Sequence, residues 1–461
     1  MDQSAHLVEV TIERMGRNGQ GIAYLPDGRI FFVDGALPGE RVLAKISQVT
    51  SPYARGTLTR VLQPSPARIA PACPHFDRCG GCAFHHWNYE QELRYKENWV
   101  IEALKRIGKV SDPPVSAIIA APSPDQYRNK GQFPWGSTDG RLVLGLFQSR
   151  SHQLVELDRC LIQDPSISHM LENLPRVLTP YDVSVYDEGT GKGILRHVLL
   201  RTSRWSREML VLFVVSSKDS RLPKIARDLV RQYPYIRGVG VNVNRERTNR
   251  ILGSQTEVLA GSATIIDKIL DMSFYVSFES FFQVNPEQVG ALYQVALDHV
   301  PQHAAVIWDL YAGVGTLAGL MSRRAQDVYA IEINQQAAQN AEQNFALNAL
   351  SNARVIASSV EDAVVNARLP KPDVVVMDPP RKGVDADVLS MLRKWAPRRI
   401  IYISCNPDTL ARDVARLNPV YELQRVTPVD MFPRTDHVES VSLLVLKGDP
   451  LSAAGPNNDP I

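Results

Sequence analysis

Residues 309–318 read DLYAGVGTLA, between a run ending AVIWDLY and a run beginning TLAGLMSRRA. The first run has the apolar, β-branched content of a buried strand. The second repeats its apolar residues at helical spacing. Between them Gly313, Gly315 and Ala318 fit the pattern G-x-G-x-x-A. There the glycines let backbone approach a ligand, and the electropositive helix N-terminus faces it. A second strand, DVYAIE, ends at Glu332, about 20 residues on, where a carboxylate can accept hydrogen bonds from ribose hydroxyls. The helix NQQAAQNAEQNFALNAL and the strands ARVIAS, DVVVMD and RIIYIS follow. Strands and helices alternating in this way predict a parallel, doubly wound sheet with its ligands at the C-terminal edge. The glycine turn alone fits an NAD-dependent oxidoreductase too.

Two later strand ends narrow the chemistry. VVVMDPPRKG (374–383) puts Asp378-Pro379-Pro380 at the sheet's C-terminal edge. Asp-Pro-Pro after an apolar strand resembles S-adenosylmethionine-dependent methyltransferases of nucleobases. Those that methylate exocyclic amines usually place an aromatic residue next; Arg381 stands here, which disfavours an amine acceptor. IIYISCNPDTLARDVARL (400–417) ends a buried-type strand at Cys405. Asn406 suits an N-cap, Pro407 the first helical position and Asp408 the first turn. A cysteine there is expected to have a stabilised thiolate and a lowered pKa. A thiolate beside a methyl donor suggests methylation of carbon: addition to C6 of uracil makes C5 nucleophilic, and a base must later remove the C5 proton. FPRTDHVESVSLL (432–444) offers that base. Glu439 is the candidate; His437 reads as an orienting residue and Asp436 as a turn residue.

Upstream of residue 275 the text is mostly β. Short runs in residues 6–62 (LVEVTI, GIAYL, IFFV, RVLAKI, GTLTRVL), separated by Asn18-Gly19, Asp27-Gly28 and Pro38-Gly39, predict a five-stranded OB-like barrel. PSPARIAPACP (64–74) reads as a linker, YEQELRYKENWVIEALKRIG (89–108) as a helix. The boundaries are a barrel over 1–63, a central mostly-β domain over 64–275, an α/β Rossmann-like domain over 276–448 and a disordered tail over 449–461. The chain carries 51 Lys and Arg against 49 Asp and Glu, a balance that neither demands nor excludes nucleic acid. Two local stretches are basic, 192–207 and 237–250, and suit phosphate contacts as well as they suit a solvated sheet surface. YRNKGQF (127–133), with Arg128 and Lys130, is similar. No signal peptide and no membrane-length apolar run is evident, so a cytoplasmic, monomeric enzyme is the expectation.

Of five cysteines, three fall in CPHFDRCGGC: Cys73, Cys79 and Cys82. With Cys405 reserved for chemistry, Cys160 is left as a fourth thiolate. Four thiolates suit zinc or a [4Fe–4S] cluster. Zinc ribbons show two C-x2-C pairs, whereas here one pair and two singles stand, so the cluster is preferred. Its expected role is to staple 73–82 to the central domain, with redox sensing as the rival.

CPHFDRCGGC with its distant fourth cysteine, FFQVNPEQ (281–288), DLYAGVGT, DPPRKG, ISCNP and HVES together resemble the bacterial RNA 5-methyluridine methyltransferases. The likeness is to the branch with an N-terminal TRAM barrel and a [4Fe–4S] cluster that acts on 23S rRNA. It covers nearly the whole chain. It implies Cys405 as nucleophile, Glu439 as proton acceptor and Cys73, Cys79, Cys82 and Cys160 as cluster ligands. It also implies Gln283, Tyr311, Gly313, Glu332 and Asp378 around S-adenosylmethionine. Ala312 and Thr316 depart from the C-G-x-G-N turn frequent in that family, and Ser359 stands where its members often have Asn. A tRNA methyltransferase of the same chemistry and an RNA-binding assembly factor without turnover are the alternatives.

Overall fold

Alternating apolar residues close the first sheet. In the computed structural model, which describes residues 7–366 and 369–449, six strands lie between Leu7 and Gln63. They are Leu7–Thr11, Arg14–Met15, Gln20–Tyr24, Ile30–Asp34, Arg41–Val49 and Tyr53–Gln63, in spatial order first, fifth, sixth, fourth, third, second. Phe31, Val33, Val42, Ala44 and Ala54 form the core. Gly19 and Gly28 turn with φ of 69° and 83°, as Asn-Gly and Asp-Gly turns require. The short strand Arg14–Met15 is the one the sequence did not announce.

The stretch after the barrel is no free linker. Arg68 donates to both oxygens of the buried Glu40 carboxylate, at 2.5 and 2.7 Å, and to Gly35 O at 2.7 Å. Leu37 of the barrel packs with Phe84 and Trp87.

The central sheet runs Thr256–Gly261, Ile236–Val243, Met209–Val215, Leu195–Thr202, Lys130–Thr138, Arg141–Phe147, Leu154–Glu156 in space. The apolar strand MLVLFVV is buried throughout. Helices Pro165–Leu178 and Leu222–Gln232 cover one face. Leu199, Leu210 and Leu212 on the other face join the core of the C-terminal domain. Two of the five cations in the basic stretch 192–207 are thereby withdrawn from any phosphate surface, while Lys192 and Arg207 stay exposed. Arg196 and Arg201 are buried, and they donate to Asn244 O and Glu246 O, and to Ser280 O, respectively.

The C-terminal sheet has the order Ala353–Ala357, Ala325–Glu332, Ala304–Leu310, Val374–Met377, Arg399–Ser404, Glu439–Leu446, Tyr421–Val429. Its first five strands are parallel. The last two form an antiparallel pair in which Glu439–Leu446 alone runs against the rest, a reversed strand that the reading of a wholly parallel sheet lacked. The strand order reverses beside Ala304–Leu310, so the glycine turn lies at a topological switch point. Helix Tyr89–Arg106, assigned by sequence to the central domain, buries Val100, Ala103 and Leu104 among Val388, Leu410 and Val414 of this one. Its apolar stripe finds a partner there rather than on the central sheet. Among the described residues no helix is long and apolar enough to cross a membrane. Of the tail, Asp449 accepts from Arg398 Nε at 2.7 Å; residues 450–461 lie outside the described ones.

Candidate active site

The glycine turn is held by its own carboxylates. Tyr311, Gly313 and Gly315 take left-handed backbone, with φ of 66°, 58° and 78°. A Cβ on Gly315 would meet the Phe345 ring at 2.7 Å, so no other residue fits without displacement. Glu332 accepts the Gly313 N–H at 2.9 Å on one oxygen and the Asn334 N–H at 2.7 Å on the other. Each oxygen keeps a lone pair for a further donor. Asp309 accepts the Ala318 N–H at 2.9 Å. Gln283, Asp309, Tyr311, Gly313, Thr316 and Asp378 line one cavity of about 60 Å³, a fraction of what a nucleoside cofactor fills. Thr316 is therefore at the site, and its hydroxyl lies 3.4 Å from that of Tyr293. Ser359 is not in this lining; its hydroxyl accepts the Asp362 N–H at 3.1 Å.

Cys405 follows the strand Arg399–Ser404, and Asn406 caps the next helix by accepting the Asp408 N–H at 3.0 Å. Ser404 pairs with Ser440 across the sheet. Cys405 and Glu439, the next residues along those antiparallel strands, therefore stand side by side. Asn406 and Thr409 both donate to Arg381 O at 3.3 Å, which ties the Asp-Pro-Pro loop to the cysteine turn. Arg381 itself meets His437 Nε2 at 2.8 Å, giving His437 an orienting contact. Glu439 is buried and one carboxylate oxygen, Oε2, has no hydrogen-bond partner among the described residues.

The expected thiolate is not stabilised here. Burial, then the Glu439 and Asp378 carboxylates, push the Cys405 thiol up to about 12, and Arg381 opposes them in part. The helix N-terminus is outweighed by desolvation and two acids. Glu439 is itself raised well above the ordinary carboxylate range by burial and by Asp378.

A second, larger cavity of about 1250 Å³ lies between barrel, central sheet and catalytic loop. Cys73, Cys79, Cys82 and Cys160 all line it, with Arg128, Lys130, Asp436 and His437. Among the described residues no three His, Cys, Asp or Glu side chains converge closely enough to hold a single metal ion. Phe281, 69 % exposed, lines both this cavity and the small one.

Sequence reasoning missed a backbone tie between the two sites. Ala83 N and Phe84 N, directly after Cys82, donate to Arg434 O at 2.8 and 3.1 Å. Arg434 takes φ 68°, and its own N–H is held by Glu92 at 2.8 Å. Tyr127 donates to Pro433 O at 3.0 Å, and the buried Lys96 donates to Phe432 O at 3.1 Å. The loop leading to Glu439 is thus fixed from outside its own domain. No local pattern around FPRTDH signals this. Asp309 was also missed, although its place at the strand end before the glycines is a usable signal.

A reversing parallel sheet with a glycine turn, a facing cysteine and carboxylate, and a small N-terminal barrel define a methyltransferase fold with an appended RNA-binding module. The family described as tRNA (Uracil-5-)-methyltransferase matches residues 88–447, and the TRAM domain matches residues 6–59. An uncharacterized RNA methyltransferase of Halalkalibacterium halodurans is 38% identical over 446 residues, covering 96% of this chain and 97% of its own. Another, of Caldanaerobacter subterraneus, is 38% identical over 441 residues, covering 95% and 97%. Among solved structures, the Pyrococcus abyssi tRNA (uracil-54, C5)-methyltransferase in complex with S-adenosyl-L-homocysteine superposes with a TM-score of 0.76 at 25% identity, covering 95% of this chain and 99% of its own. The chain belongs to the S-adenosylmethionine-dependent RNA uracil-5-methyltransferases and carries a TRAM domain.

Proposed function

We propose that the protein methylates C5 of a uracil in 23S rRNA, with Cys405 as nucleophile and Glu439 as base. The observation that carries this reading is the register of Ser404 on Ser440, with a cysteine and a buried carboxylate as the next residues. S-adenosylmethionine supplies the methyl group on a positively charged sulfur. Gln283, Tyr311, Gly313, Glu332 and Asp378 are assigned to hold it. The residues fit that group: a carboxyl-rich cavity at a glycine turn suits a cationic nucleoside. Cys405, having lost its proton to solvent, adds to C6 of the uracil, the C5–C6 electron pair moves to C5, and C5 would take the methyl group as the donor's S–CH3 bond breaks and leaves its pair on that sulfur. Glu439 then takes the C5 proton, the C–H pair re-forms the double bond, and the S–C6 bond breaks. Arg381, acting on both Cys405 and Glu439, favours their ionised forms.

The uracil must leave its stack to reach Cys405. Phe281 offers an exposed ring face at the mouth of the site for a base. The barrel (1–63) and central domain (64–275) are assigned to the RNA, and 276–448 to transfer.

Cys73, Cys79, Cys82 and Cys160 are assigned to a [4Fe–4S] cluster. One zinc ion would draw its thiolates to about 2.3 Å from a common centre. The four thiols line one cavity, and Cys160, Cys79 and Cys73 all act electrostatically on Cys82, so they are neighbours there. Its part is to fasten 73–82 to the central domain, since metal ligation contributes folding free energy.

A second reading, tRNA as substrate, is favoured by the Pyrococcus abyssi enzyme. That chain acts on tRNA and matches almost end to end, so barrel and central sheet do not separate the substrates. The test is methyl transfer from labelled S-adenosylmethionine to unmodified 23S rRNA and to unmodified tRNA, with the labelled nucleotide mapped. Label as 5-methyluridine in rRNA alone is expected. Label in tRNA alone overturns the rRNA assignment, and label off C5 overturns the mechanism.

A further inference from the structure

The N-terminal barrel reaches the helix that follows Cys405. Its turn 16–19, between the strands Arg14–Met15 and Gln20–Tyr24, sets Arg17 against Asp408, and Arg17 donates to Asp408 Oδ2. Trp99 Nε1 donates to Oδ1 of the same carboxylate at 3.4 Å. Asp408 lies three residues after Cys405, in the first turn of helix Pro407–Leu417. Its own N–H donates to the Asn406 cap, while Asn406 and Thr409 hold Arg381 O of the Asp-Pro-Pro loop. The turn that carries Cys405 is therefore fastened both to its own domain and to the barrel.

The barrel turn is itself held in place. Tyr95 OH donates to Gly16 O at 2.8 Å. Gly19 lies so close to the following segment that a Cβ there would meet Ala83 Cβ at 3.0 Å and the Phe84 ring at 3.2 Å. Phe84, Trp87, Tyr95 and Trp99 pack ring against ring, with neighbouring centroids 5.4 to 6.5 Å apart. The charged groups that act on Tyr95 across this junction are Asp436, Arg17 and Asp408. Asn18 and Gly19 line the large cavity together with Asp436 and His437. Ala83 and Phe84 in turn hold Arg434 O on the loop that leads to Glu439. One barrel turn thus meets the nucleophile's turn directly and the base's loop through residues 83 and 84.

The Arg17 side chain is 57 % exposed and that of Asp408 23 %, and an ion pair so open to water contributes little to stability. Its geometry matters more than its energy. A reacting group displaced by about 1 Å, even by a change far from the chemistry, can lose about 10²-fold in rate.

We propose that Arg17 is a positioning residue: through Asp408 it sets the turn that carries Cys405, so that the barrel takes part in the chemical step as well as in holding RNA. The inference rests on the reading of Cys405 as nucleophile. Arg17 touches neither the base nor the methyl donor in this scheme.

The experiment is single-turnover methylation by the full-length protein, with enzyme in excess over RNA and S-adenosylmethionine saturating. Filter binding of the same RNA is measured beside it at several salt concentrations. The RNA is unmodified 23S rRNA or unmodified tRNA, whichever the wild type labels. Arg17→Gln, Arg17→Lys, Asp408→Asn and the double variant Arg17→Gln with Asp408→Asn are compared. Asp408→Asn keeps an acceptor for Trp99 and the N–H that meets the cap. Arg17→Gln is expected to slow transfer at saturating RNA by about tenfold. RNA affinity, its salt slope and the thermal midpoint should stay as in the wild type. Arg17→Lys should recover most of the rate. The double variant should be no slower than the slower single, because both singles break one contact. Losses that multiply in the double variant overturn the inference, since the two residues then act separately. A normal rate in Arg17→Gln with weaker binding and a flatter salt slope overturns it too, and makes Arg17 a phosphate ligand. So does a rate that falls only in step with the folded fraction, which makes the pair merely structural. Full activity in Cys405→Ala, or no label from the wild type on either RNA, would defeat the proposed function itself, a result distinct from the other three.

Discussion

In the proposed mechanism Cys405 and Glu439 depend on each other, because the thiol that must ionise faces an acid that must later accept a proton. Removing each should therefore stop the reaction at a different point. Glu439→Gln should let the sulfur add and the methyl arrive, but the adduct cannot eliminate. A denaturant-stable protein–RNA band is expected on a gel with Glu439→Gln, with turnover lower by about 10²–10⁴-fold. Cys405→Ala should give no band and no turnover. A band with Cys405→Ala would remove it as the nucleophile. The residue types and their order were legible in ISCNP and HVES; the state of the thiol was not. Its ionisation is decided by Asp378 and Glu439, which come from other strands, and a cap read along the chain weighs neither. Two histidines away from the site bear on pH in a definite direction. Burial lowers His197 and His299 from 6.5 to about 4. Each is neutral when folded, so its contribution is complete above pH 6.5 and is lost as pH falls towards 4. The loss is on the order of 3 kcal/mol per histidine. Thermal denaturation should show the midpoint falling across that window, and His197→Gln should flatten the fall.

Helix Tyr89–Arg106 shows what an element's own pattern conceals. Its span was readable in YEQELRYKENWVIEALKRIG and its apolar stripe from Trp99, Leu104 and Ile107, whereas the Asn88 cap was not read. Its partner was not, because the same stripe would fit either domain. The stripe docks on the transferase, and the helix then contributes Lys96 and Glu92 to a buried cluster with Asp430, both contacts at 2.7 Å. Charge reverses the usual argument there. Lys96→Met would leave two carboxylates buried beside each other, the most damaging way to break such a cluster, at about 3–5 kcal/mol. Urea denaturation should show that loss, and Lys96→Met with Glu92→Gln and Asp430→Asn should recover part of it. No recovery in the triple variant would mean that packing of the lysine stem dominates. The glycine turn and the strand ends, by contrast, were legible almost residue by residue. Each is dictated by backbone constraints close by in the chain, not by what lies across the molecule.

For the whole molecule, the second basic stretch matters more than the first. Arg245, Arg247 and Arg250 sit in an exposed loop and make no ion pair among the described residues. Its base is clamped by two buried asparagines: Asn244 donates to Arg250 O and Ile251 O, and Asn242 to Gly253 O and Glu279. Glu279, which accepts from Asn242 at the base of the loop, is two residues from Phe281, which lines both cavities. A rigidly held cationic tip there suits RNA phosphates. Replacing all three arginines with Gln should weaken RNA binding. It should also reduce the slope of log affinity against log salt by about 0.7 for each phosphate of single-stranded RNA that an arginine had neutralised. The slope measured by filter binding decides this, since an unchanged slope means the tip never meets phosphate.

The hydrogen bonds from Ala83 and Phe84 to Arg434 O bear on how the protein is made. During synthesis the segment after Cys82 emerges long before residue 434. The barrel and cysteine segment can fold early, yet two of their backbone donors must wait, solvated, for nearly the entire remaining chain. The loop before Glu439 therefore acquires its shape only when the last part of the chain closes onto the first. A chain that stops before residue 434 lacks the carbonyl that both donors share.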